Sequence, residues 1–134
     1  MLEFDFDWLY RQIVDNSHDA IIFADRQGIV RLWNLGAEEM FGFTAIEALG
    51  QSLDLIVPEK NRRPHWEGYR KVMASGVTGY AQKLLAVPAI RKDGTRISIE
   101  FSIVLVRSRD GEVVGSAAIM RDVTERRKKE LALK

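Results

Sequence analysis

The apolar positions near the start of the chain recur with the period of an α-helix. They follow the i, i+3, i+4, i+7 spacing and are Phe6, Leu9, Tyr10 and Ile13. Asp5 and Asp7 stand where this stretch begins, and negative charges there complement the helix dipole. The pattern therefore predicts a short amphipathic helix at the N-terminus.

The composition then changes to that of β-strands. Residues 20–25 and 29–34 are rich in branched and aromatic side chains, and the turn-forming residues 26–28 separate them. Two such runs so close in sequence predict a hairpin. Beyond it, three short pieces at 37–41, 45–49 and 53–57 are interrupted by Gly42 and Gly50 and end at Pro58. They predict single-turn helices.

One longer helix is expected next, over residues 61–75, because its apolar residues keep helical spacing and Gly76 follows as a C-terminal stop. His65 lies within its apolar stripe. The members of this stripe fall within an arc of roughly 120° on a helix of about 100° per residue. They are His65, Trp66, Tyr69, Val72 and Met73.

The last third of the chain predicts three antiparallel strands, over 80–91, 96–106 and 112–121, because two Asp-Gly turns separate them. In the middle strand the apolar residues alternate with mostly polar ones, so one face should cover a core. This face includes Ile97, Ile99, Phe101 and Ile103. Pro88 cannot donate to a strand ladder, which makes the first of the three an edge strand or a bulged one.

A final helix is expected after the sheet, because Asp122 to Glu125 has the form of a capping box with Asp122 as the cap. The charged run that follows is typical of a solvated helix face.

Composition narrows the function classes. The 134 residues suit one domain, and 20 Lys+Arg against 19 Asp+Glu give no field that would attract nucleic acid. The absence of cysteine excludes disulfides, thiolate metal sites, a Cys nucleophile and a flavin-cysteinyl adduct. The acidic N-terminus is unlike a signal peptide, and no apolar run has membrane-spanning length. We expect a soluble, cytoplasmic protein without membrane contact.

Catalytic motifs are missing from the sequence. There is no Ser-His-acid set at suggestive spacing, no Gly-rich phosphate loop and no paired-His metal motif, and the chain has two histidines in all. The sequence therefore predicts a protein that is not an enzyme. His18, beside Asp19 in a loop, favours a turn or capping role.

The order of the predicted elements and seven short motifs resemble the PAS domains of bacterial signalling proteins. The motifs are Asn16-Ser-His-Asp-Ala20, Asp25-x-x-Gly28, Trp33-Asn34-x-x-Ala37-Glu38-x-x-Phe41-Gly42, Glu47-x-x-Gly50, Pro58, Lys92-Asp-Gly94 and Arg121-Asp-Val-Thr124. The resemblance implies a mixed α/β fold, with a five-stranded antiparallel sheet and helices packed on one face around a ligand pocket. It divides the chain into a flanking helix (1–16), a PAS core (17–122) and an exit helix (123–134).

The function that this resemblance implies is sensory, as in two-component systems. A PAS module binds a small molecule or cofactor and relays the signal through its flanking helices to an output domain or partner, such as a kinase, a cyclase or a transcription regulator. We expect a homodimer in which the N-terminal helix, through Phe6, Leu9 and Ile13, lies near the exit helix. Two alternatives stay open, a haem-based gas or redox sensor and a ligand-free dimerisation module.

The pocket is expected between the 61–75 helix and the inner face of the sheet. Its predicted lining consists of His65, Phe23, Tyr69, Val72, Leu85, Ile99, Phe101 and Ile119. Trp33 and Trp66 could stack on a flat ligand, although aromatic residues at such spacing more often belong to the core.

His65 is the residue that bears on the cofactor. Pro58-Glu59 followed by His65 resembles the spacing around the proximal histidine of haem-binding PAS sensors, which implies His65 as the iron ligand of a haem b. The alternative is a histidine at the edge of the stripe, bonded to backbone or solvent. Gln82 or Tyr80 would have to serve as the distal group, because residues 82–85 offer neither Arg nor Met. Flavin is a further alternative.

Overall fold

The computed structural model describes residues 3–78 and 85–133, and the strands in this part of the chain form one antiparallel sheet. Their order across the sheet is β2-β1-β5-β4-β3. The strands are β1 (Ala20–Asp25), β2 (Val30–Trp33), β3 (Leu85–Ile90), β4 (Arg96–Arg107) and β5 (Val113–Asp122). The five-stranded sheet and the mixed α/β class are confirmed.

β3 is an edge strand, as Pro88 predicts. Among the described strands it pairs with β4 alone, and Pro88 lies opposite Ser98. A proline has no N–H to give to a second neighbour, so an edge is where it costs least. The strand begins at Leu85 rather than at residue 80, and Tyr80, Gln82 and Lys83 lie outside the described residues.

The described residues contain five α-helices and two short 3₁₀ turns. The helices are α1 (Phe6–Asn16), α2 (Leu35–Phe41), α3 (Ala45–Ala48), α4 (Arg62–Ser75) and α5 (Thr124–Ala132), with 3₁₀ turns at Leu53–Ile56 and Glu59–Asn61. Side-chain caps explain several of their starts, since the first N–H groups of a helix have no partner within it. Asp5 accepts from Asp7 and Trp8, and Thr44 forms a full capping box with Glu47.

The start of α5 differs from the predicted capping box. Asp122 accepts from the N–H of Thr124 at 2.9 Å, and the helix begins at Thr124 without a side-chain cap from Val123. Asp122 is the last residue of β5, which leaves it one residue too early to reach the N–H of Glu125. The helix was therefore predicted correctly and its cap wrongly.

The hydrophobic core lies between one face of the sheet and the helices that follow β2. Phe41, Ile22 and Val30 have almost no solvent exposure, and burial of each such side chain contributes about 1.5–3 kcal/mol. The Trp33 ring packs on Phe41 with centroids 5.6 Å apart, and its indole N–H donates to the carbonyl of Phe43. Trp33 is therefore a core residue.

Asn34 ties the N-terminal segment to this core. Its side chain is buried, and its Oδ1 accepts from the backbone N–H groups of Ile21 and Ala37. Its Nδ2 donates to three backbone carbonyls, those of Val14, Ser17 and Asp19. One amide thereby joins the end of α1, the start of β1 and the first turn of α2.

The helix α1 has no buried residue within this chain. Phe6 and Ile13 are 59% and 60% exposed, and Leu9 is half-buried. The apolar stripe predicted from the sequence thus has little to pack against in a single chain. None of the helices in residues 3–78 and 85–133 combines the length and the apolar character that crossing a membrane requires.

Candidate functional site

A cavity of about 660 Å³ lies between α4 and the inner face of the sheet. Its volume is in the range that small organic ligands occupy, about 300–1,000 Å³. The sheet side is mostly apolar, with Ile22 and Ala24 from β1, Ile99 and Phe101 from β4, and Ala118 from β5. The arrangement can hold a small molecule away from water.

Five of the residues predicted to line the pocket meet in this cavity. They are His65, Tyr69, Val72, Ile99 and Phe101. The three on α4 share the helix face that the apolar stripe predicts, and the two on β4 are separated by one residue and so share a side of the sheet. Helix period and strand alternation are the sequence signals that group these residues.

Phe23 and Ile119 do not line the cavity, and their predicted place is corrected here. Successive side chains of a strand point to opposite faces, and it is Ile22, Ala24 and Ala118 that point inward. Phe23 lies on the outer face, where its ring covers Gly115 so closely that a Cβ on Gly115 would come within 2.6 Å of Cζ. Leu85 begins β3, and its side chain is not among those the structure describes.

The polar groups of the cavity come mainly from α4 and the residue before it. They are Asn61, His65, Tyr69, Lys71 and Ser75, together with Ser116 of β5. A mostly apolar cavity with few polar groups is the usual form of a small-molecule site, in which the polar groups fix the orientation of the ligand.

His65 presents a neutral imidazole to the cavity. Its Nδ1 is buried and has no hydrogen-bond partner among the described residues. Burial lowers the pKa of His65 below its usual value of 6.5, and the nearby carboxylate of Asp54 only partly opposes this. The ring packs against Trp66 and Tyr69, with centroids 4.7 and 5.9 Å away. Of the alternative prediction, a histidine at the edge of the stripe bonded to backbone or solvent, the backbone bond is not found at Nδ1 among the described residues.

Asn61 has the same unusual property, and sequence reasoning did not single it out. Its Oδ1 is buried without a partner, and the residue lines the same cavity. It precedes the first residue of α4 but makes no side-chain cap bond to that helix. In the sequence an asparagine at this position reads as an N-cap, so no sequence signal could have revealed it.

Tyr69 anchors α4 to the end of β1. Its hydroxyl donates to the carbonyls of Asp25 at 2.5 Å and Ala24 at 3.2 Å. Burial raises the pKa of Tyr69, a hydrogen bond with Ser116 opposes the change, and the charge of Asp25 adds to it. The tyrosine therefore remains a neutral donor that positions the helix over the sheet.

Trp66 lies beside the cavity rather than in its lining. Its indole N–H donates to Oδ1 of Asp54 at 2.7 Å, and its ring covers Gly28. Gly28 has φ +78°, and a Cβ there would come within 2.1 Å of the Trp66 ring, so this turn requires glycine. Trp66 and Trp33 thus both take the core role that was weighed against stacking on a ligand.

His18 lies in an open cleft on a different part of the surface. Its Nδ1 is 3.0 Å from Oε1 of Glu39, and Asp19 in the same cleft pairs with Arg121 at 3.2 Å. These are exposed contacts of small energetic weight. Within the described ranges no group of three or more His, Cys, Asp or Glu residues is placed to hold a metal ion.

The exit helix is attached to β4 through polar contacts. The N–H of Val123 donates to the carbonyl of Ser98 at 2.8 Å, and the N–H of Ser98 donates to Oγ1 of Thr124 at 3.0 Å. One turn further, the guanidinium of Arg126 pairs with the carboxylate of Glu100. The first turns of α5 are therefore held by residues 98 and 100 of the strand.

Comparison with known proteins places the chain in a family. A family model described as the PAS fold matches residues 14–128. The sensor protein FixL of Bradyrhizobium diazoefficiens is 31% identical over 118 residues, which cover 86% of this chain and 22% of FixL. The signal transduction histidine-protein kinase AtoS of Escherichia coli is 26% identical over 115 residues, covering 86% of this chain and 18% of AtoS.

A solved structure agrees with the fold. The crystal structure of the PAS domain of a protein from Colwellia psychrerythraea superposes with a TM-score of 0.78 at 23% identity, covering 90% of this chain and 99% of that one. The chain spans about a fifth of the length of FixL and of AtoS. Since the PAS-fold model matches most of the chain and the architecture agrees, this protein belongs to the PAS family of sensory domains.

Proposed function

We propose that this chain is the ligand-binding part of a signalling protein, and that it takes a small, mostly apolar molecule into the cavity between α4 and the sheet. The observation that carries the proposal is the cavity itself, about 660 Å³ with an apolar sheet side and a few polar groups on the helix side. A cavity of this size in a close-packed domain has a cost in lost contacts. A ligand that fills it would restore them.

The signal would leave the cavity along β4. Ile99 and Phe101 line the cavity, while their neighbours Ser98 and Glu100 hold the first turns of α5. A ligand that shifts the inner side chains of β4 would therefore act on the exit helix through the backbone of β4 and the bonds that Ser98 and Glu100 make to α5. Small shifts of helices against each other are a common means of signal transfer.

The output would lie in other parts of a longer protein or in a separate partner, as the sensor and kinase relatives suggest. The exposed stripe of α1 supports a homodimer in which Phe6, Leu9 and Ile13 pack against a second copy, near α5. Under this proposal the ligand changes the way the flanking helices of two copies pack.

The test of the cavity uses two neighbouring alanines of β5 that point to opposite faces. Ala118 lines the cavity and Ala117 pairs with Phe23 on the outer face. Ala118→Phe should fill the cavity and abolish binding of an apolar probe such as 1-octanol, measured by titration calorimetry. Ala117→Phe is the matched control and should bind the probe as the wild type does. Binding that survives Ala118→Phe would contradict the proposal.

Haem is the second candidate ligand, with His65 as the iron ligand. The neutral ring of His65 in the cavity favours it, because the ligating imidazole must be unprotonated. An iron-bound histidine is almost always oriented by a partner on its other ring nitrogen, and Nδ1 has none among the described residues. The described residues thus offer a ligand for the iron but not the group that would orient it.

Hemin titration decides this second candidate. A haem site at His65 predicts a shifted Soret band that His65→Ala abolishes and that His18→Ala leaves unchanged, since His18 is exposed and does not line the cavity. No shifted band in the wild type, or an unchanged band in His65→Ala, would exclude it and leave an organic ligand or an empty dimerisation module.

A further inference from the structure

The sheet has a second apolar face, on the side away from the cavity. Four neighbouring strands contribute to it, and each contributing residue alternates along its strand with residues of the cavity or the core. In a single chain none of these residues is buried, whereas Ile22 and Ala24 on the inner face of β1 are. The described helices therefore leave this face open. We call it the outer patch, and it consists of Ile21, Phe23, Leu32, Val104, Ala117 and Ile119.

The strand register makes the outer patch continuous. Phe23 lies opposite Leu32 on one side and Ala117 on the other, and Ala117 lies opposite Val104. Directly opposed side chains of an antiparallel pair are about 5 Å apart, so these four touch in a row. Four strands spaced about 4.8 Å apart give the patch a width of about 14 Å. A continuous apolar surface on a soluble domain marks an interaction site.

The helix α1 has an apolar stripe that its own chain also leaves uncovered. Phe6, Tyr10 and Ile13 follow the i, i+4, i+7 spacing of one helix face, and they are 59%, 60% and 60% exposed. The 11 residues of α1 make a helix about 16 Å long, which is close to the width of the outer patch. One chain thus exposes two apolar surfaces of matching length.

The last turn of α1 is fixed away from the outer patch of its own chain. The side chain of Asn34 donates to the carbonyls of Val14 and Ser17, and the N–H of Gly36 also donates to Ser17. These bonds hold the end of α1 beside α2, whose Phe41 packs into the core on the inner side of the sheet. An α1 helix that lies on the outer patch therefore comes from another molecule.

We propose that the outer patch binds α1 of a second copy of this chain, with each copy placing its α1 on the patch of the other about a twofold axis. The inference rests on the proposed homodimer and names the surface that the α1 stripe contacts. Such a symmetric contact covers the stripe and the patch of both copies at once. Packing of α1 against α1 would leave both patches exposed, and packing of sheet against sheet would leave both stripes exposed.

The exposed area is large enough for a stable dimer. An aromatic side chain has about 150–250 Å² to bury, so Phe6 and Tyr10 each keep roughly 100 Å² or more at their observed exposure. Together with Ile13, the facing patch and the second, symmetric contact, the buried total is about 1,200 Å². Stable specific interfaces begin at about this size.

The charges beside the outer patch fit α1 as its partner. Residues 3–16 contain four acidic residues and one basic residue, Arg11. The exit helix α5, with four basic and two acidic residues, begins at the β4 edge of the patch. It is held there by the pair of Arg126 with Glu100, which lies on the same side of β4 as Val104. An acidic α1 on the patch is therefore attracted by the α5 beside it.

A charge at the patch should break the dimer, as measured by sedimentation equilibrium. We expect Val104→Glu to raise the dissociation constant at least about tenfold, because it removes apolar contact in both symmetric halves and repels the acidic α1. Val104→Arg should weaken the dimer less, since its charge attracts α1. Ile46→Glu is the control on α3, where Ile46 is 91% exposed and lies outside the patch, and it should leave the dissociation constant unchanged. Equal effects of Val104→Glu and Ile46→Glu would overturn the inference.

Crosslinking between two single-cysteine variants locates the contact, since the chain has no cysteine of its own. The variants are Tyr10→Cys in the middle of the stripe and Val104→Cys in the patch, both at exposed positions. The two proteins, one of them tagged to differ in mass, are mixed and treated with a short bismaleimide. We expect the product that joins the two variants to dominate, and to be lost when Ile46→Cys takes the place of Val104→Cys.

The outcomes separate this inference from the proposals on which it rests. A product that joins Tyr10→Cys to itself indicates packing of α1 on α1, and one that joins Val104→Cys to itself indicates packing of sheet on sheet. Either result, if dominant, overturns the inference and leaves the homodimer in place. A wild type that sediments as a monomer overturns both. Binding of 1-octanol in the cavity is measured separately and is expected to persist in Val104→Glu, so none of these results bears on the ligand site.

Discussion

Two asparagines of this domain have buried side-chain oxygens, and their surroundings are opposite. Asn34 makes five hydrogen bonds that join α1, β1 and α2. Asn61 lines the cavity, and its buried oxygen has no partner among residues 3–78 and 85–133. The first arrangement stabilises the fold, whereas the second costs stability and has no structural benefit within the described residues. Unpaired buried polar groups of this kind tend to mark binding sites.

The comparison extends to the regions around the two residues. Near Asn34 the core is close-packed, with the buried rings of Trp33 and Phe41 in contact. Near Asn61 a cavity separates α4 from the sheet. The hydroxyl of Tyr69 donates a hydrogen bond from α4 to the end of β1. The close-packed region around Asn34 thus stabilises the domain, and the region around Asn61 has a cavity that a ligand can enter.

The same substitution at the two asparagines should have opposite effects, and Asn34→Leu should give the larger one. It removes all five hydrogen bonds and leaves buried backbone groups unpaired, so the free energy of unfolding should fall by about 3 kcal/mol or more. Urea denaturation of the ligand-free protein measures it. A loss below about 1 kcal/mol would mean that Asn34 does not hold the junction.

Asn61→Leu should raise the free energy of unfolding of the ligand-free protein by about 1 kcal/mol. It replaces an unsatisfied buried oxygen by an apolar group of similar shape, and Asn61 contributes no cap bond that could be lost. The experiment is the same urea titration, run beside Asn34→Leu. A clear decrease in stability would show that the Asn61 oxygen has a structural partner after all.

The pH dependence of stability should show the burial of His65. Its pKa is lowered in the folded state by burial, so below the usual value of 6.5 the unfolded chain binds more protons than the folded one. The contribution of the neutral His65 ring to the free energy of unfolding is fully present above pH 6.5. It is lost as the pH falls through that value towards the pKa of the folded state. Unfolding free energies at about pH 7.5 and about pH 5 should therefore diverge more for the wild type than for His65→Leu. Equal pH slopes would mean that His65 is solvated.

Leu9→Asp should have the smallest effect on the free energy of unfolding of a single chain, a change within about 0.5 kcal/mol. The reason is that no residue of α1 is buried within one chain. It should nevertheless turn a dimer into a monomer in light scattering if the exposed stripe of α1 is the dimer contact. The exposed Gln12→Asp is a control that changes charge on the same helix. A wild type that is monomeric at high concentration, or a dimer unaffected by Leu9→Asp, would remove the proposed interface.

The sequence predicted the elements well because their periods are unambiguous. In β4 the residues Ile97, Ile99, Phe101 and Ile103 alternate with other residue types, and the inner face was predicted correctly there. The apolar run of α4 was as clear. The order of the strands came from the resemblance to PAS domains rather than from periodicity.

The lining was predicted wrongly where alternation is absent. In β1 the residues Ile21, Ile22 and Phe23 are all apolar, and in β5 so are Ala117 to Met120. Both strands lie inside the sheet with apolar side chains on either face, so the pattern does not say which face a residue takes. The unpaired oxygen of Asn61 could not be predicted at all, since it depends on which atoms fail to meet in three dimensions.

The central claim is that a ligand binds in the cavity between α4 and the sheet. An NMR titration of the isotope-labelled chain with 1-octanol tests it most directly. The account predicts that signals of Ile99, Phe101 and Ala118 shift on binding, with those of Thr124 following through β4, while Ala117 on the outer face stays unchanged. Shifts centred on Ala117 and the outer face, or no shift up to the solubility limit of the alcohol, would contradict it.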